Sequence, residues 1–168
     1  SFTVDGKLSG KEGRILLHFG AVDQIAQVWV NEIFIGEHEG GYLPFSFDVT
    51  DALHDKENLL KVVAVDTLSH DYPYGKQKKK PGGMWYTPVS GIWQSVWLEW
   101  VPTYYIEKIE MTPDLEGVAI EVQTQGGEAD GFRVCVTLHN GQTVEKTFSG
   151  STGRVQLTDA LTPDGSTY

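Results

Sequence analysis

The stretch VWVNEIFIG, residues 28–36, contains the pattern that decides the fold. Two short runs of β-branched and aromatic residues flank the pair Asn31-Glu32, and such a two-residue connection is typical of a β-hairpin with a type I′ turn. Asn tolerates the positive φ of that turn, whereas Glu carries a steric cost that Gly would avoid. We therefore expect Glu32→Gly to raise the free energy of unfolding by about 0.3–1 kcal/mol. Asn140-Gly141 predicts a second hairpin of the same type.

Similar runs fill the rest of the chain, each bounded by Gly, Asn, Asp or Pro. No window of 11 residues shows a 3.6-residue apolar repeat. One helical turn is expected in VTDALHD, residues 49–55, capped by Thr50 or Asp51 before Leu53 packs inward. Strands at this spacing predict an all-β fold of the sandwich type. The predicted strands are RILLHF, AQVWVN, IFIG, LPFSFDV, NLLKVVAVD, IWQSVWLEW, YYIEKIEM, GVAIEVQT, GFRVCVTLHN, QTVEKTF and GRVQL.

Composition excludes several classes of function. The chain has 168 residues and a formal net charge of -10, which argues against a nucleic-acid partner because phosphates are bound by clustered Lys and Arg. The single cysteine, Cys135, cannot form an internal disulfide and is expected to be an ordinary strand thiol. No apolar run is long enough to cross a bilayer, and no signal peptide opens the sequence. We therefore expect no membrane partner and a cytoplasmic location in a bacterium, with a periplasmic or secreted location as the alternatives.

A change in composition near residue 102 predicts two domains. All five tryptophans precede it, whereas the residues after VPTYY form plain short strands. We expect domains at residues 1–102 and 103–168, joined by a stiff connector at Pro102. The second segment is short for an immunoglobulin-like sandwich, which needs about 100 residues, and is expected to be an incomplete one.

The sequence contains no recognisable pattern of catalytic residues. Ser69, His70 and Asp71 have the residue types of a nucleophilic triad, but sequence neighbours on a loop rarely converge on one substrate atom. The five histidines lack metal-ligand spacing. No phosphate-binding loop or nucleophile elbow is found. We therefore predict no catalytic residue, no metal and no cofactor in this chain.

Two aromatic, glycine-rich segments remain unexplained by the fold: GEHEGGYLPF, residues 36–45, and HDYPYGKQKKKPGGMWYTP, residues 70–88. The first is expected to turn sharply at its glycines and to hold polar groups outward. Aromatic faces with His, Gln and carboxylate groups beside them make up a carbohydrate site. Such loops also close the end of a sandwich or dock another domain, so the residues alone leave these alternatives open.

The strand IWQSVWLEW, residues 92–100, divides its side chains by period two. One face is expected to enter the core, namely Ile92, Gln94, Val96, Leu98 and Trp100. The other is expected to meet a neighbouring domain, and it carries Trp93, Ser95, Trp97 and Glu99.

The blocks VWVNEIFIGEHEGGYLPFSFDVTDAL, residues 28–53, and GGMWYTPVSGIWQSVWLEWVP, residues 82–102, closely resemble the amino-terminal sugar-binding domain of glycoside hydrolase family 2. This family contains β-galactosidases, β-glucuronidases and β-mannosidases. The resemblance covers roughly residues 2–102. It implies a jelly-roll sandwich, then an immunoglobulin-like domain, then a (β/α)8 barrel that carries both catalytic glutamates and is not part of this sequence. Retaining hydrolysis of a β-linked glycoside is the family reaction.

What the resemblance implies for this chain is a noncatalytic accessory region, β-galactosidase-like, whose partners are a β-glycoside and the barrel domain of its own protein. Self-association is a further expectation. Gly83 stands where some β-galactosidases of the family place an acidic residue that reaches the sugar. A free-standing lectin-like module and a purely structural interaction domain are the rival hypotheses. The residues expected to touch sugar are His38, Glu39, Tyr42, Lys76, Gln77 and Trp85.

Overall fold

The computed structural model describes residues 1–4, 12–128, 130–137, 141 and 143–156. Apart from one 3₁₀ turn at Thr50–Ala52, the regular elements in this part of the chain are strands, so the all-β prediction is confirmed. The strands are β1 (Phe2–Thr3), β2 (Arg14–Phe19), β3 (Val22–Asp23), β4 (Ile25–Val30), β5 (Ile33–Glu39), β6 (Phe45–Asp48), β7 (Glu57–Asn58), β8 (Leu60–Val65), β9 (Gly91–Ile92), β10 (Val96–Val101), β11 (Tyr105–Pro113), β12 (Gly117–Gln125), β13 (Gly131–Thr137), β14 (Thr143–Ser149) and β15 (Thr152–Gln156).

The chain divides into two compact units at the junction between Pro102 and Thr103. Unit 1 precedes the junction and unit 2 follows it. In each unit the described strands pair antiparallel in more than one sheet, so the prediction of an all-β sandwich fold is confirmed. Within the described residues, no helix has the length and hydrophobicity that crossing a lipid bilayer requires.

The described part of unit 1 contains two three-stranded antiparallel sheets, β10-β2-β6 and β5-β4-β8, and two two-stranded ones, β1-β7 and β3-β9. Alternate residues of β2 and β4 point into the space between the sheets, which is why both strands alternate apolar and more polar residues. These inward side chains join one hydrophobic core: Ile15, Leu17, Phe19, Ala26, Val28 and Val30.

The hairpin predicted at Asn31-Glu32 is present between β4 and β5. Asn31 has φ 49° and Glu32 has φ 69°, so both residues adopt the left-handed conformation that a type I′ turn requires. The second predicted hairpin joins β13 and β14, which pair antiparallel, but Asn140 lies outside the described residues.

The predicted helical turn forms at Thr50–Ala52, but its capping was predicted wrongly. The Thr50 N–H donates to Asp48 Oδ1 at 3.0 Å, so the carboxylate at the end of β6 caps the turn. Thr50 Oγ1 instead accepts the Ile15 N–H at 2.8 Å, which ties the turn to β2. Leu53 packs against the core, as expected.

The continuous strand predicted over residues 92–100 is interrupted. Gly91–Ile92 pairs with β3, whereas Val96–Val101 pairs with β2, and the chain between them leaves the ladder. Val96, Leu98 and Trp100 pack on the core as predicted. Ile92 and Gln94 are exposed, so their assignment to the core face was wrong.

Unit 2 pairs a three-stranded sheet, β11-β12-β15, with the two-stranded sheet β13-β14. Its core is small: Ile120, Val122 and Val155 are buried under the stacked rings of Phe132 and Phe148, whose centroids lie 5.1 Å apart. Of the predicted final strand, Leu157 lies outside the described residues.

Candidate functional site

A cleft opens at one end of the unit 1 sandwich, where β3 pairs with β9 and the segment from Gly40 to Pro44 passes between β5 and β6. Its volume is about 280 Å³, close to the lower limit for pockets that bind small molecules. The lining consists of Asp23, Gly41, Tyr42, Gln77, Val89, Ser90, Gly91 and Trp93.

Trp93 and Tyr42 form the aromatic part of the cleft. The Trp93 Nε1–H donates to the Gly41 carbonyl oxygen at 2.8 Å, which fixes the indole across the first glycine-rich segment. The two rings meet edge to face, with centroids 6.2 Å apart and an interplanar angle of 71°. Both side chains are more than half exposed, so their faces are available to a ligand.

Gly41 has no room for a side chain. A Cβ atom there would lie 2.5 Å from Asp23 Oδ1 and 3.3 Å from Gln24 Oε1. The glycine pair in this segment therefore allows the backbone to pass close to the Asp23 carboxylate, which lines the cleft.

The pKa of the Asp23 carboxyl is raised, first because burial disfavours its charged form and second because Asp66 repels it. Gln24, beside it, is almost fully buried, and its Oε1 has no hydrogen-bond partner in the described structure. The Asp23 carboxyl and the neighbouring Gln24 amide are thus held partly or wholly away from water, at a cost in free energy.

Gln77 and Ser90 supply the uncharged polar groups. Gln77 Oε1 accepts the Val89 N–H at 2.6 Å, which anchors the amide and leaves its Nε2–H₂ group to donate elsewhere. The residues before Val89 form a short hairpin, closed by hydrogen bonds between the backbones of Gly82 and Trp85.

Of the six residues expected to touch sugar, Tyr42 and Gln77 line the cleft. His38 and Glu39 belong to β5, so the loop predicted to start at Gly36 begins only at Gly40. Strand β5 continues because Gly36 lets the Phe47 ring pack against its backbone, where a Cβ would lie 2.5 Å from Phe47 Cε1.

His38 packs inward, stacked on Phe45 with ring centroids 4.1 Å apart, and its Nε2 is buried without a hydrogen-bond partner in the described structure. Glu39 is exposed and accepts a hydrogen bond from Tyr72. That hydrogen bond is the main cause of the raised pKa of Tyr72, because it stabilises the protonated phenol.

Trp85 lies on the short hairpin and Lys76 on the segment before it, and neither residue lines the cleft. The Lys76 carbonyl oxygen accepts the Tyr86 N–H at 2.7 Å. Trp85 is 39% exposed, and Lys78 Nζ lies 5.5 Å from the centroid of its ring. Both predicted residues therefore present side chains near the cleft without forming its wall.

Sequence reasoning missed Asp23, Ser90 and Trp93. Trp93 was assigned to an interdomain face with Trp97; of the two, only Trp97 lies on the outer face of a sheet, where it stacks on His18 at 4.8 Å. The sequence feature that could have indicated these residues is Gly40-Gly41-Tyr42, because paired glycines indicate that another segment of the chain approaches closely. No group of three or more His, Cys, Asp or Glu in the described residues is placed to hold a metal ion.

The fold and the cleft define a class of protein: a β-sandwich that presents aromatic faces, an amide, a hydroxyl and one carboxyl group in a shallow pocket at one end. These groups suit a ligand that is rich in hydroxyls and has an apolar face.

Comparison with known proteins gives the family. Residues 1–102 match the model described as glycosyl hydrolases family 2, sugar binding domain. The chain therefore belongs to glycosyl hydrolase family 2, as its sequence motifs predicted.

Individual relatives include enzymes of two specificities. The chain is 36% identical over 118 residues to a β-galactosidase of Thermoanaerobacter pseudethanolicus, an alignment that covers 67% of this chain and 14% of that protein. It is 28% identical over 165 residues to the β-glucuronidase of Canis lupus familiaris, an alignment that covers 86% of this chain and 25% of that protein. The solved structure of a Faecalibacterium prausnitzii β-glucuronidase superposes with a TM-score of 0.65 at 26% identity, covering 92% of this chain and 30% of that one. The chain thus spans less than a third of each relative.

Proposed function

We propose that this chain is the noncatalytic accessory region of a β-galactosidase-like family 2 glycoside hydrolase. In this proposal the parent protein hydrolyses β-linked glycosides with retention, in a barrel domain outside this chain. Unit 1 is the sugar-binding-type domain and unit 2 the immunoglobulin-like one. The observation that carries the proposal is the aromatic cleft of unit 1, in a segment that matches a sugar-binding family model.

The chemistry of the cleft favours binding over bond cleavage. Retaining hydrolysis needs two carboxyl groups about 5–5.5 Å apart across the glycosidic bond. Asp23 is the single acidic residue among those that line the cleft. Tyr42 and Trp93 instead offer ring faces to the C–H groups of a pyranose, and Gln77 and Ser90 offer hydrogen bonds to its hydroxyls.

The relatives support the assignment of catalysis to another domain. The matched part is 14% of the β-galactosidase and 25% of the β-glucuronidase, so most of each relative lies outside the match. A (β/α)8 barrel needs about 250 residues. We place the parent protein in the cytoplasm, where the exposed thiol of Cys135 would stay reduced.

The test is the activity of the full-length parent protein on aryl β-galactosides, β-glucuronides and β-mannosides. We expect the β-galactoside to be hydrolysed with the highest kcat/KM, and the isolated chain to hydrolyse none of the three. Tyr42→Ala and Trp93→Ala in the parent are expected to lower kcat/KM at least tenfold, which is about 1.4 kcal/mol of transition-state stabilisation, because both rings line the cleft.

Tyr86→Ala is the matched control, because Tyr86 is also an aromatic residue of unit 1, is 67% exposed and does not line the cleft. Its kinetics should equal those of the parent. A parent protein without glycosidase activity, combined with sugar binding by the isolated chain, would favour the lectin-like module instead. Unchanged kinetics in both aromatic variants would leave this region with a structural role only.

A further inference from the structure

The charge in the lining of the cleft has one sign. Asp23 is the charged residue in the lining, and Asp66 is close enough to raise its pKa. The register of the β5-β4-β8 sheet explains this proximity: Ile25 lies opposite both Glu39 and Val65, so the residues next to these pairs meet at one end of the sheet. The carboxylates of Asp23, Glu39 and Asp66 therefore surround the same end of the sandwich.

Lysines near the cleft do not offset this charge within it. Lys78 lies over the Trp85 ring, with Nζ 5.5 Å from the centroid, and Lys76, next to Gln77 in the chain, does not line the cleft. The other polar groups of the lining, on Tyr42, Gln77 and Ser90, are uncharged. A ligand in the cleft would thus meet neutral hydrogen-bonding groups and one anionic carboxylate.

Resting on the proposed function, we propose that the cleft takes uncharged pyranosides and discriminates against uronides, and that the Asp23 carboxylate sets this discrimination. A pyranoside presents hydroxyl groups that can donate to Asp23 and accept from Gln77. A uronide replaces one hydroxymethyl group with a carboxylate, which would be repelled by Asp23 and, from further away, by Asp66. The raised pKa of Asp23 supports this, because the protein already disfavours one negative charge at that position.

The experiment compares two ligands that differ only at C6, methyl β-D-galactopyranoside and methyl β-D-galactopyranosiduronate. Each is titrated into the 168-residue chain at pH 8 and low ionic strength. The reporter is the NMR signal of the Trp93 indole N–H, which donates to Gly41 at the cleft and is assigned with Trp93→Phe. We expect the neutral glycoside to bind about fivefold more tightly, the factor that corresponds to repulsion between two charges about 4 Å apart in water.

Asp23→Asn is expected to bring the two dissociation constants within about twofold, since it removes the carboxylate and keeps its shape. Asp66→Asn, which leaves the lining intact, should reduce the ratio by a smaller factor. The matched control is Asp51→Asn, which makes the same change in net charge. Asp51 faces Arg14, the first residue of β2, at the end of that strand away from the cleft. This control variant should leave the ratio unchanged.

A uronide that binds as tightly as the galactoside would overturn the proposal, as would a folded Asp23→Asn chain that keeps the original ratio. If neither ligand shifts the Trp93 signal, the cleft is not a sugar site in this chain and the inference fails. The proposed function is judged separately, because hydrolysis by the full-length parent does not depend on binding to the isolated chain.

Discussion

Units 1 and 2 share the same alternating strand pattern but bury it to very different extents. In unit 1, Phe19, Val22 and Val28 are fully buried between two three-stranded sheets. In unit 2, Ile109 and Met111 of β11 lie opposite the buried residues Val122 and Ile120, on the same face of the sheet, yet they are 52% and 67% exposed. The opposing sheet in the described residues has only two strands and does not cover β11.

The difference shows that period-two alternation predicts which side of a strand is apolar but not how deeply it is buried. Burial depends on whether a second sheet extends far enough to cover that side. Mutations that remove apolar side chains should therefore have unequal effects in the two units. Tryptophan fluorescence reports unit 1 alone, because all five tryptophans precede Pro102.

The largest expected effect is that of Phe19→Ala. Phe19 is fully buried and stacks on Phe45 with centroids 4.8 Å apart, so the variant loses apolar burial and leaves a cavity. We expect it to lower the free energy of unfolding of unit 1 by about 3–5 kcal/mol, measured by urea denaturation with tryptophan fluorescence.

Met111→Ala is the corresponding change in unit 2, measured by differential scanning calorimetry. Because Met111 is 67% exposed, we expect a change within about 0.5 kcal/mol. A loss as large as that of Phe19→Ala would contradict the comparison, since it would mean that β11 is covered in solution.

The second prediction concerns Asn58, a buried polar residue of unit 1. Its Oδ1 accepts from Asn31 Nδ2 at 2.7 Å and from the His54 N–H at 2.7 Å, and its Nδ2–H₂ group donates to the carbonyls of His54 and Lys56. Asn58→Ala removes these four hydrogen bonds from partly buried surroundings. We expect the free energy of unfolding from urea denaturation to fall by about 3 kcal/mol, because each hydrogen bond contributes about 0.5–1.5 kcal/mol net.

Lys56→Ala is the control for this variant. Lys56 contributes only its backbone carbonyl to the network and has an exposed side chain. The Lys56→Ala variant should therefore be as stable as the unmodified chain. An Asn58→Ala chain of unchanged stability would show that water replaces the lost partners.

The third prediction uses pH to address unit 2. Asp114 accepts from Arg154 at 2.7 Å with both carboxylate oxygens, and the N–H groups of Glu116 and Gly117 also donate to it. The hydrogen bond from Arg154 is the main reason why the pKa of Asp114 is lowered, followed by the one from the Glu116 N–H. The ionised form therefore stabilises the folded state, fully so above the unfolded pKa of about 3.9, and this contribution is lost as pH falls through the lower folded pKa.

Asp114→Asn should accordingly lower the melting temperature of unit 2 at pH 7. The difference in melting temperature between this variant and the unmodified chain should shrink once the pH is low enough to protonate Asp114 in the folded unmodified chain. Circular dichroism at pH 7 and at about pH 2.5 checks this, with the tryptophan transition of unit 1 as an internal control. A difference that does not depend on pH would assign the effect to the altered loop geometry.

Much of unit 1 could be predicted from sequence because its signals are local. The turn at Asn31-Glu32 and the strands beside it follow from residue types within nine positions. The break after Ile92 could not be predicted, since period-two alternation continues through it. The conformation of the segment between β9 and β10 depends on residues far away in the chain, since the Trp93 N–H donates to the Ala21 carbonyl and the Ser95 carbonyl accepts the Gly20 N–H.

The same distinction holds for the candidate site. Tyr42 and Gln77 were found because aromatic and amide residues concentrate in two loops. Asp23 and Trp93 were missed because they reach the cleft through the β3-β9 pairing, which joins residues about 70 positions apart and leaves no local pattern.

A small stabilising effect is predicted for Glu32→Gly, which gives the turn of unit 1 the same Asn-Gly pair as residues 140–141. Glu32 is exposed and has φ 69°, a conformation that Gly adopts without steric cost. Glu32→Gly should therefore raise the free energy of unfolding by about 0.3–1 kcal/mol, the gain being limited by the greater freedom of Gly in the unfolded chain. Asn31→Gly, with φ 49° at the adjacent position, should do the opposite, because the Asn31 side chain bonds Ala52, Asn58 and Leu59. Urea denaturation followed by tryptophan fluorescence measures both variants. A lower urea midpoint for Glu32→Gly would mean that contacts of the Glu32 side chain outweigh the backbone strain at this turn. A gain in stability for Glu32→Gly together with a loss for Asn31→Gly would separate the effect of backbone conformation from that of hydrogen bonding within a single turn.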